Sequence, residues 1–520
     1  WGSGLAVDGL SAVLLVTLAV VLVAVLAYAA ADGYGVRFYV LVLLFGAAMA
    51  VTVTASDLLL LLMGWEVMGA MSYALIGYAW PDAERVRSAD IAFLTTRAAD
   101  MGLYAAAGFA VAGAHSLRLD ALAQADAPWR NLIAAGVVVS ALGKSAQLPF
   151  SFWLSRAMAG PTPVSALLHS ATMVVAGAYL LLRLRPLLDA TGWAATAVSW
   201  AGALTALLLG AVALAQRDLK QLLAASTCAQ IGFMVLGAGA GAAEGGAAHL
   251  VAHAAVKSSL FLCAGVWLTR RGSDRLVDVV FGVGAIALAG VPPLSLWVTK
   301  DAVLGGVGER SPALLGVGFA ASVLSAAYAG KAVLWLLRPG ERVRVPVSQR
   351  IPLAGLGVAA ACLGGVLGVF GLPGISDDVT LKAWEMALSG VLAVLTVGVV
   401  VAVRERVPEP AWALDWLRLE RAAVVVVARP TLAAARALVR FDDRVVDGAV
   451  RAVARGGRWT AGLTGRRVEL PLDGLVALTG RAARGLAALA RRPQTGQLHL
   501  YYAQAAVVLA VLAVIAVLAG

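Results

Sequence analysis

Apolar windows of about 20 residues, the length a helix needs to cross the hydrocarbon core of a bilayer, recur almost without interruption from Leu10 to Val403. One more runs from about Tyr502 to Leu518. An outer-membrane barrel would show alternating segments of roughly ten residues, whereas runs such as Ala12 to Ala27 are apolar on every face. The pattern therefore predicts an all-α polytopic membrane protein with about fourteen transmembrane helices. Composition agrees: 61% hydrophobic and 14% charged residues, with a mean hydropathy of +0.86, fall outside the range of soluble domains.

A net charge of +11 could suggest nucleic acid, but the arginines cluster in inter-helix loops and in a C-terminal stretch beside lipid, where anionic headgroups are the expected neighbours. No nucleic-acid partner is read. Cys228, Cys263 and Cys362 lie far apart in apolar stretches, which offers neither a metal-binding CxxC pair nor a disulfide framework. They are expected in the core. The chain opens on Trp1 with no charged leader ahead of a short apolar region, so no signal peptide is read.

Loops after odd-numbered spans carry Arg85, Arg87, Arg156, Arg217, Lys220, Arg270, Arg271, Arg275, Arg338, Arg342, Arg344, Arg350, Arg404 and Arg406. Those after even-numbered spans carry chiefly Arg118, Arg130, Arg183, Arg185, Arg310 and Lys382. The positive-inside rule puts the odd loops in the cytoplasm and the start of the first helix outside, as in a bacterial inner membrane. From about Ala411 to Arg492 the sequence turns amphipathic, mixing Arg and Asp with Val, Leu and Ala. Such a segment should lie along the membrane surface. Gly456, Gly457, Gly462, Gly465 and Pro471 are expected to divide it into two or three helices.

Two stretches resemble each other at a distance: Leu148 to Ser155, containing Pro149, and Pro292 to Thr299, opening on Pro292 and Pro293. Lys144 stands close to the first and Lys300 close to the second. A proline inside a span frees backbone groups, which lipid tolerates only where they face protein or water. Paired broken helices in two halves of a chain point to an ion path near the middle of the membrane.

A charge at the bilayer centre costs at least ~2.5 to 3.5 kcal/mol, so it persists mainly where paired or facing water. Glu66 lies in the third span, Arg97 and Asp100 at the start of the fourth, Lys144 in the fifth and His169 in the sixth. Glu66 is expected to pair with Lys144, and Arg97 and Asp100 to act as supporting charges. His249, His253 and Lys257 recur at intervals of four, which stacks them on one helix face. Lys300 and Asp301 follow in the next broken helix. Burial weakens a lysine's hold on its proton, a nearby carboxylate restores it, and imidazole titrates near neutrality, so the series suits a proton relay. With only Glu244 near the two histidines, a metal site is not read. Asp218 and Lys220 read as a helix start at the cytoplasmic surface, and His115 and His499 as interfacial residues.

The segments Gly64–Gly69 (GWEVMG), Gly143–Pro149 (GKSAQLP), Ala159–His169 (AGPTPVSALLH), Asp218–Gly232 (DLKQLLAASTCAQIG), His249–Lys257 and Val291–Asp301 together resemble the antiporter-like subunits of respiratory complex I, an NADH:quinone oxidoreductase. The likeness is to the largest, distal type, chain 5 or subunit L. It implies two inverted five-helix repeats containing broken helices, placed at 37–190 and 191–340. A single helix would precede them at 1–36 and further helices would follow at 341–410. An amphipathic lateral segment at 411–492 and a transmembrane anchor at 493–520 would complete the chain. By resemblance, Glu66 and Lys144 match the paired charges of the first repeat. His169, His249, His253 and Lys257 match the connecting axis, and Lys300 the terminal lysine.

The resemblance implies a proton-translocating subunit without redox groups of its own, with NADH, FMN, Fe–S clusters and quinone in partner subunits. Its neighbours would be other membrane subunits, especially antiporter-like ones, held by the lateral segment. Two features depart from the family: two helices that usually come first are not found, and the loop from Thr269 to Asp278 is shorter than usual. Competing readings place the same module in a multisubunit Na⁺/H⁺ antiporter, a membrane-bound hydrogenase or an inorganic-carbon transporter, or make it a scaffold. Retention of so many costly charges argues against a scaffold.

Overall fold

The computed structural model describes residues 4–270, 272–337, 341–372 and 383–519. Arg271, Arg338 and Lys382, named above as loop charges, lie outside the described residues.

Aspartates start the first helices. Asp8 caps α1 (Gly9–Ala29), accepting from the Ser11 N–H at 2.8 Å while Ser11 Oγ accepts from the Asp8 N–H at 2.7 Å. After α2 (Val36–Thr54), Asp57 caps α3 (Leu58–Ile76) and Asp82 caps α4 (Ala83–Gly113). Then come α5 (Ala127–Lys144), α6 (Phe152–Ala157), α7 (Thr162–Ser170), α8 (Met173–Arg183), α9 (Arg185–Thr191) and α10 (Trp193–Ala215). They are followed by α11 (Leu219–Ala240), α12 (Ala243–Arg270), α13 (Arg275–Ala289), α14 (Ser295–Arg310), α15 (Pro312–Val333), α16 (Val347–Phe370) and α17 (Ala383–Val403). Asp218 and Asp274 cap α11 and α13. A two-residue parallel pairing of β1 (Gly272–Ser273) with β2 (Glu341–Arg342) ties two loops together.

Among the described residues, twelve helical segments, the amphipathic stretch Trp416–Arg491 included, are long and apolar enough to cross a membrane, which makes this an all-α multi-pass membrane protein. The other long helices are α4 and α5, diluted by charges such as Arg97, Asp100 and Lys144, and α13 and α14, of 15 and 16 residues.

Burial separates the helices into two sets. The segments Thr162–Arg183 and Leu219–Ala240 are buried along their whole apolar windows, whereas only 17% of the window in Ala383–Val403 is. His169 and Gln230 therefore lie in segments enclosed by other helices, whereas α3 and α15, which carry Glu66 and Ser325, are half-buried. Small residues permit the tightest packing: a Cβ at Gly136 would stand 2.2 Å from the Gly102 carbonyl oxygen, and one at Gly232 2.7 Å from that of Gly202. Cys228 and Cys263 are buried as expected, but Cys362 is exposed, because α16 turns much of its apolar surface outward.

Both expected breaks occur. Helix α5 stops at Lys144 and the chain turns through Pro149 into α6; α13 stops at Ala289 and turns through Pro292 and Pro293 into α14. Gly290 holds a φ of +79° in the second turn, and a Cβ there would meet Lys300 Nζ at 3.0 Å. A third break, between α7 and α8 at Ala171 and Thr172, follows His169 directly.

The first compact unit runs to Ala423 and ends on α18 (Ala411–Leu414) and α19 (Leu419–Ala423). The second, from Val424, contains α20 (Arg429–Phe441), α21 (Asp447–Thr464), α22 (Leu470–Arg491) and α23 (Leu498–Ala519). The expected division of the amphipathic stretch does not occur: from Val424 to Arg491 the backbone stays helical, on the order of 100 Å of it. Wider π turns join the pieces at Val424–Ala428, Asp442–Val446 and Gly465–Glu469. A glycine costs only about 1 kcal/mol inside a helix, and Pro471 sits in the first turn of α22, just after the third π turn, where its missing N–H matters least.

Candidate proton-relay site

The first station joins α3, α4 and α5. Arg97 and Asp100 lie three residues apart on α4, and each meets a different neighbour. Arg97 pairs with Glu66 of α3 at a partly exposed position. Asp100 pairs with Lys144 of α5 at 3.0 Å, with side-chain exposures of 3% and 0%. The expected pairing of Glu66 with Lys144 is thus replaced: the lysine's carboxylate is Asp100, which sequence spacing could not single out. Trp65 Nε1 donates to Asp100 Oδ1 at 2.7 Å, Ser140 Oγ lies 3.3 Å from the same oxygen, and Lys144 Nζ stands 5.0 Å from the centre of the Trp65 ring. This ion pair is fully desolvated and well supplied with donors, the condition under which a buried pair holds.

The second station lies between the halves. The break after Ser170 frees that residue's carbonyl, which His253 Nδ1 takes at 3.1 Å; Ser170 Oγ meets Ser258 Oγ at 2.7 Å. Lys257 donates to the Leu223 carbonyl at 3.1 Å and to Ser226 Oγ. His169 is fully buried between the rings of Trp153 and Phe261, and neither of its nitrogens has a protein partner. His253 Nε2, Ser145 Oγ, Gln147 Oε1 and Ser151 Oγ are also buried without partners. Each such atom costs about 1–3 kcal/mol unless water satisfies it. Ordered water is the partner such buried atoms ordinarily find.

The third station links α11, α12, α14 and α15. His249 Nε2 meets Gln230 Oε1 at 2.9 Å and His249 Nδ1 meets Thr299 Oγ1 at 3.0 Å. Gln230 Nε2 donates to Tyr328 OH at 2.5 Å and to Ser325 Oγ at 2.8 Å, and Ser325 Oγ also accepts from Lys300 Nζ at 3.2 Å. A hydrogen-bonded chain therefore runs from His249 to Lys300. Thr299 Oγ1 also lies 3.3 Å from the Ser295 carbonyl, so its single proton can go to either side. The site thereby accepts His249 with one ring proton or two, with no movement of heavy atoms. Asp301 accepts from Ser389 Oγ at 2.7 Å. Beside them lies a cavity of about 10 Å³, lined by Gly290, Trp297, Lys300, Asp301 and Ser322 among others. That is room for one water, and Ser322 Oγ is buried without a partner.

Asp218 caps α11 by accepting from the Gln221 N–H at 2.9 Å, and Lys220 donates to the Met158 and Gly160 carbonyls at 2.7 and 3.0 Å. Lys220 thus holds the end of the first broken helix. Sequence reading missed Gln230, Ser226, Ser325, Tyr328 and Thr299; the available signal was a neutral polar residue inside an apolar span. It also missed Lys331, which is 8% exposed and bonds Glu409 at 2.8 Å alongside Arg217 at 2.6 Å. Those two cations hold the Glu409 carboxyl below the ordinary glutamate range. Among the described residues, no group of three or more His, Cys, Asp or Glu side chains that could hold a metal comes together.

Buried lysines, histidines and carboxylates are thus threaded through the broken helices of a multi-pass membrane protein. The chain belongs to the family described as NADH:quinone oxidoreductase/Mrp antiporter, transmembrane, whose pattern matches residues 55–325. It is 34% identical over 483 residues to NADH-quinone oxidoreductase subunit L of Mycobacterium tuberculosis, covering 82% of this chain and 76% of that one. It is 34% identical over 365 residues to NAD(P)H-quinone oxidoreductase chain 5 of a Picosynechococcus species, covering 62% of this chain and 54% of that relative. The chain thus spans about half the length of that cyanobacterial protein. Among solved structures, the Mrp complex of a Dietzia species matches with 30% identity and a TM-score of 0.68, covering 93% of this chain and 56% of the matched one.

Proposed function

We propose that this chain is a proton-translocating membrane subunit of an NADH:quinone oxidoreductase. Protons pass along Lys144, His169, Lys257, His253, His249, Gln230, Ser325 and Lys300, while Glu66 with Arg97 and Asp100 with Lys144 set the charge at one end and Asp301 at the other. The observation that carries this reading is the series of buried polar groups, from the Lys144–Asp100 pair through His169, His253 and Lys257 to the hydrogen-bonded chain from His249 to Lys300. The names of the relatives support the host complex. On this reading the chain contributes no redox group; NADH, FMN, Fe–S clusters and quinone belong to other subunits. The distribution of Arg and Lys supports a bacterial inner membrane with the Arg270 end of α12 in the cytoplasm. The long amphipathic helix from Val424 to Arg491 would lie along neighbouring membrane subunits.

A second reading, a subunit of a multisubunit Na⁺/H⁺ antiporter, is favoured by the match of 93% of this chain to an Mrp complex. Purification of the tagged chain from native membranes in mild detergent separates the two. Co-purifying flavin and Fe–S subunits with NADH dehydrogenase activity support the first; small antiporter subunits alone would replace it with the second and keep the relay.

A further inference from the structure

The four-residue spacing of His249, His253 and Lys257 continues along α12 to Phe261 and Gly265. Gly265 carries no side chain, and a Cβ there would stand 2.8 Å from the Tyr28 hydroxyl and 3.2 Å from Thr162 Cγ2. The next position of the polar series is thus filled from outside, by a phenol that α1 delivers. Tyr28 is 1% exposed and its hydroxyl has no protein partner, although a buried tyrosine hydroxyl usually finds one. Gln349 Oε1 and Arg270 Nε are buried without partners as well.

One turn beyond Tyr28, Asp32 is half-buried, with one side toward solvent. Gln349 Nε2 donates to Asp32 Oδ1 at 2.9 Å and lies 3.4 Å from the Tyr28 carbonyl, which ties the carboxylate to the helix that carries the phenol. Burial raises the Asp32 carboxyl above its ordinary range, against the Gln349 bond and the charge of Arg270. Asp32, Tyr34, Cys263 and Arg270 are the titratable or charged groups acting on Tyr28. On the far side, Thr162, Ser165 and His169 share one face of α7 at spacings of three and four, leading past Phe261 to the unpartnered imidazole.

We propose that Asp32 and Tyr28 form the inlet that loads Lys257 with protons from the membrane face bearing Arg270, an inference that rests on the relay reading above. The protons pass through water held between the Tyr28 hydroxyl, Thr162 and His169. Lys257 lies eight residues from Gly265, ~12 Å along the helix, a distance that a few waters and the α7 hydroxyls can bridge. The inlet uses α1, which lies outside the matched residues 55–325.

The test uses the whole complex in liposomes, with NADH-driven proton uptake per electron read by a pH dye and assembly by native gel. Tyr28→Phe and Asp32→Asn are expected to lower uptake at least threefold, toward the level of Lys257→Met, while Asp32→Glu restores it. Tyr28→Phe removes an oxygen that bonds to no protein atom, so a merely structural role predicts no change. Wild-type uptake in both Tyr28→Phe and Asp32→Asn, with Lys257→Met impaired, would overturn the inlet and leave the relay standing. Wild-type uptake in Lys257→Met would overturn the relay itself, and the inlet with it.

Discussion

Lys144 and Lys257 are both 0% exposed, yet they are held in opposite ways. Lys144 faces the Asp100 carboxylate at 3.0 Å, itself braced by Trp65 and Ser140. Among the described residues Lys257 meets a backbone carbonyl and a serine hydroxyl, and Lys300 donates to Ser325 while Asp301 accepts from Ser389. The first half of the axis is an ion pair, whereas the second is a line of neutral partners. A charge arriving at Lys257 meets neutral partners and must be passed on toward Lys300, which shares a cavity with the Asp301 carboxylate; a charge at Lys144 can rest. The two halves therefore have the character of a reservoir and a conduit.

The largest effect should come from breaking the reservoir on one side only. Asp100→Leu leaves the Lys144 ammonium buried without its partner, with an expected loss of about 3–5 kcal/mol, seen as failed assembly or a lower thermal inactivation temperature of the complex. Adding Lys144→Met to that variant should recover most of the stability but none of the transport. A double variant as unstable as the single one would show that the pair is not the source of the cost.

A smaller effect is expected at the conduit. Gln230→Leu interrupts the link between His249 and Lys300, because Gln230 alone bonds both His249 and the Ser325–Tyr328 pair. Transport should fall several-fold with the complex assembled; full transport would route protons around this residue. The smallest concerns Glu409, outside the membrane. Lys331 and Arg217 hold its carboxyl down, so its contribution to stability is present above the unfolded value of about 4.3 and fades as the pH falls through the lower folded value. Glu409→Gln should cost about 1 kcal/mol or less at neutral pH and nothing at the acid end, measured as the difference in inactivation temperature.

The same contrast explains what could be read from sequence. The membrane fold was legible because apolar runs have one use at that length, and the breaks at Pro149 and at Pro292–Pro293 because proline removes a donor. The break at Thr172 had no such signal; there the Thr172 hydroxyl donates to the Leu167 carbonyl at 2.6 Å. Residue types placed charges in the membrane, but partner choice depends on helix rotation: Arg97 and Asp100, three residues apart, turn to Glu66 and Lys144 respectively. Neutral members such as Gln230 and Tyr328 were hidden because an uncharged polar residue in a span is common. The long helix after Val424 was misread as interrupted because glycine and proline penalties were weighed without the π turns that absorb them.

The most direct test of the account is the proton-to-electron ratio of the reconstituted complex carrying Lys257→Met. Methionine fills nearly the same volume and removes a buried ammonium that has no carboxylate partner among the described residues, so assembly should survive. A ratio clearly below wild type in the assembled complex is the predicted result, and an unchanged ratio would contradict a proton path through the buried axis.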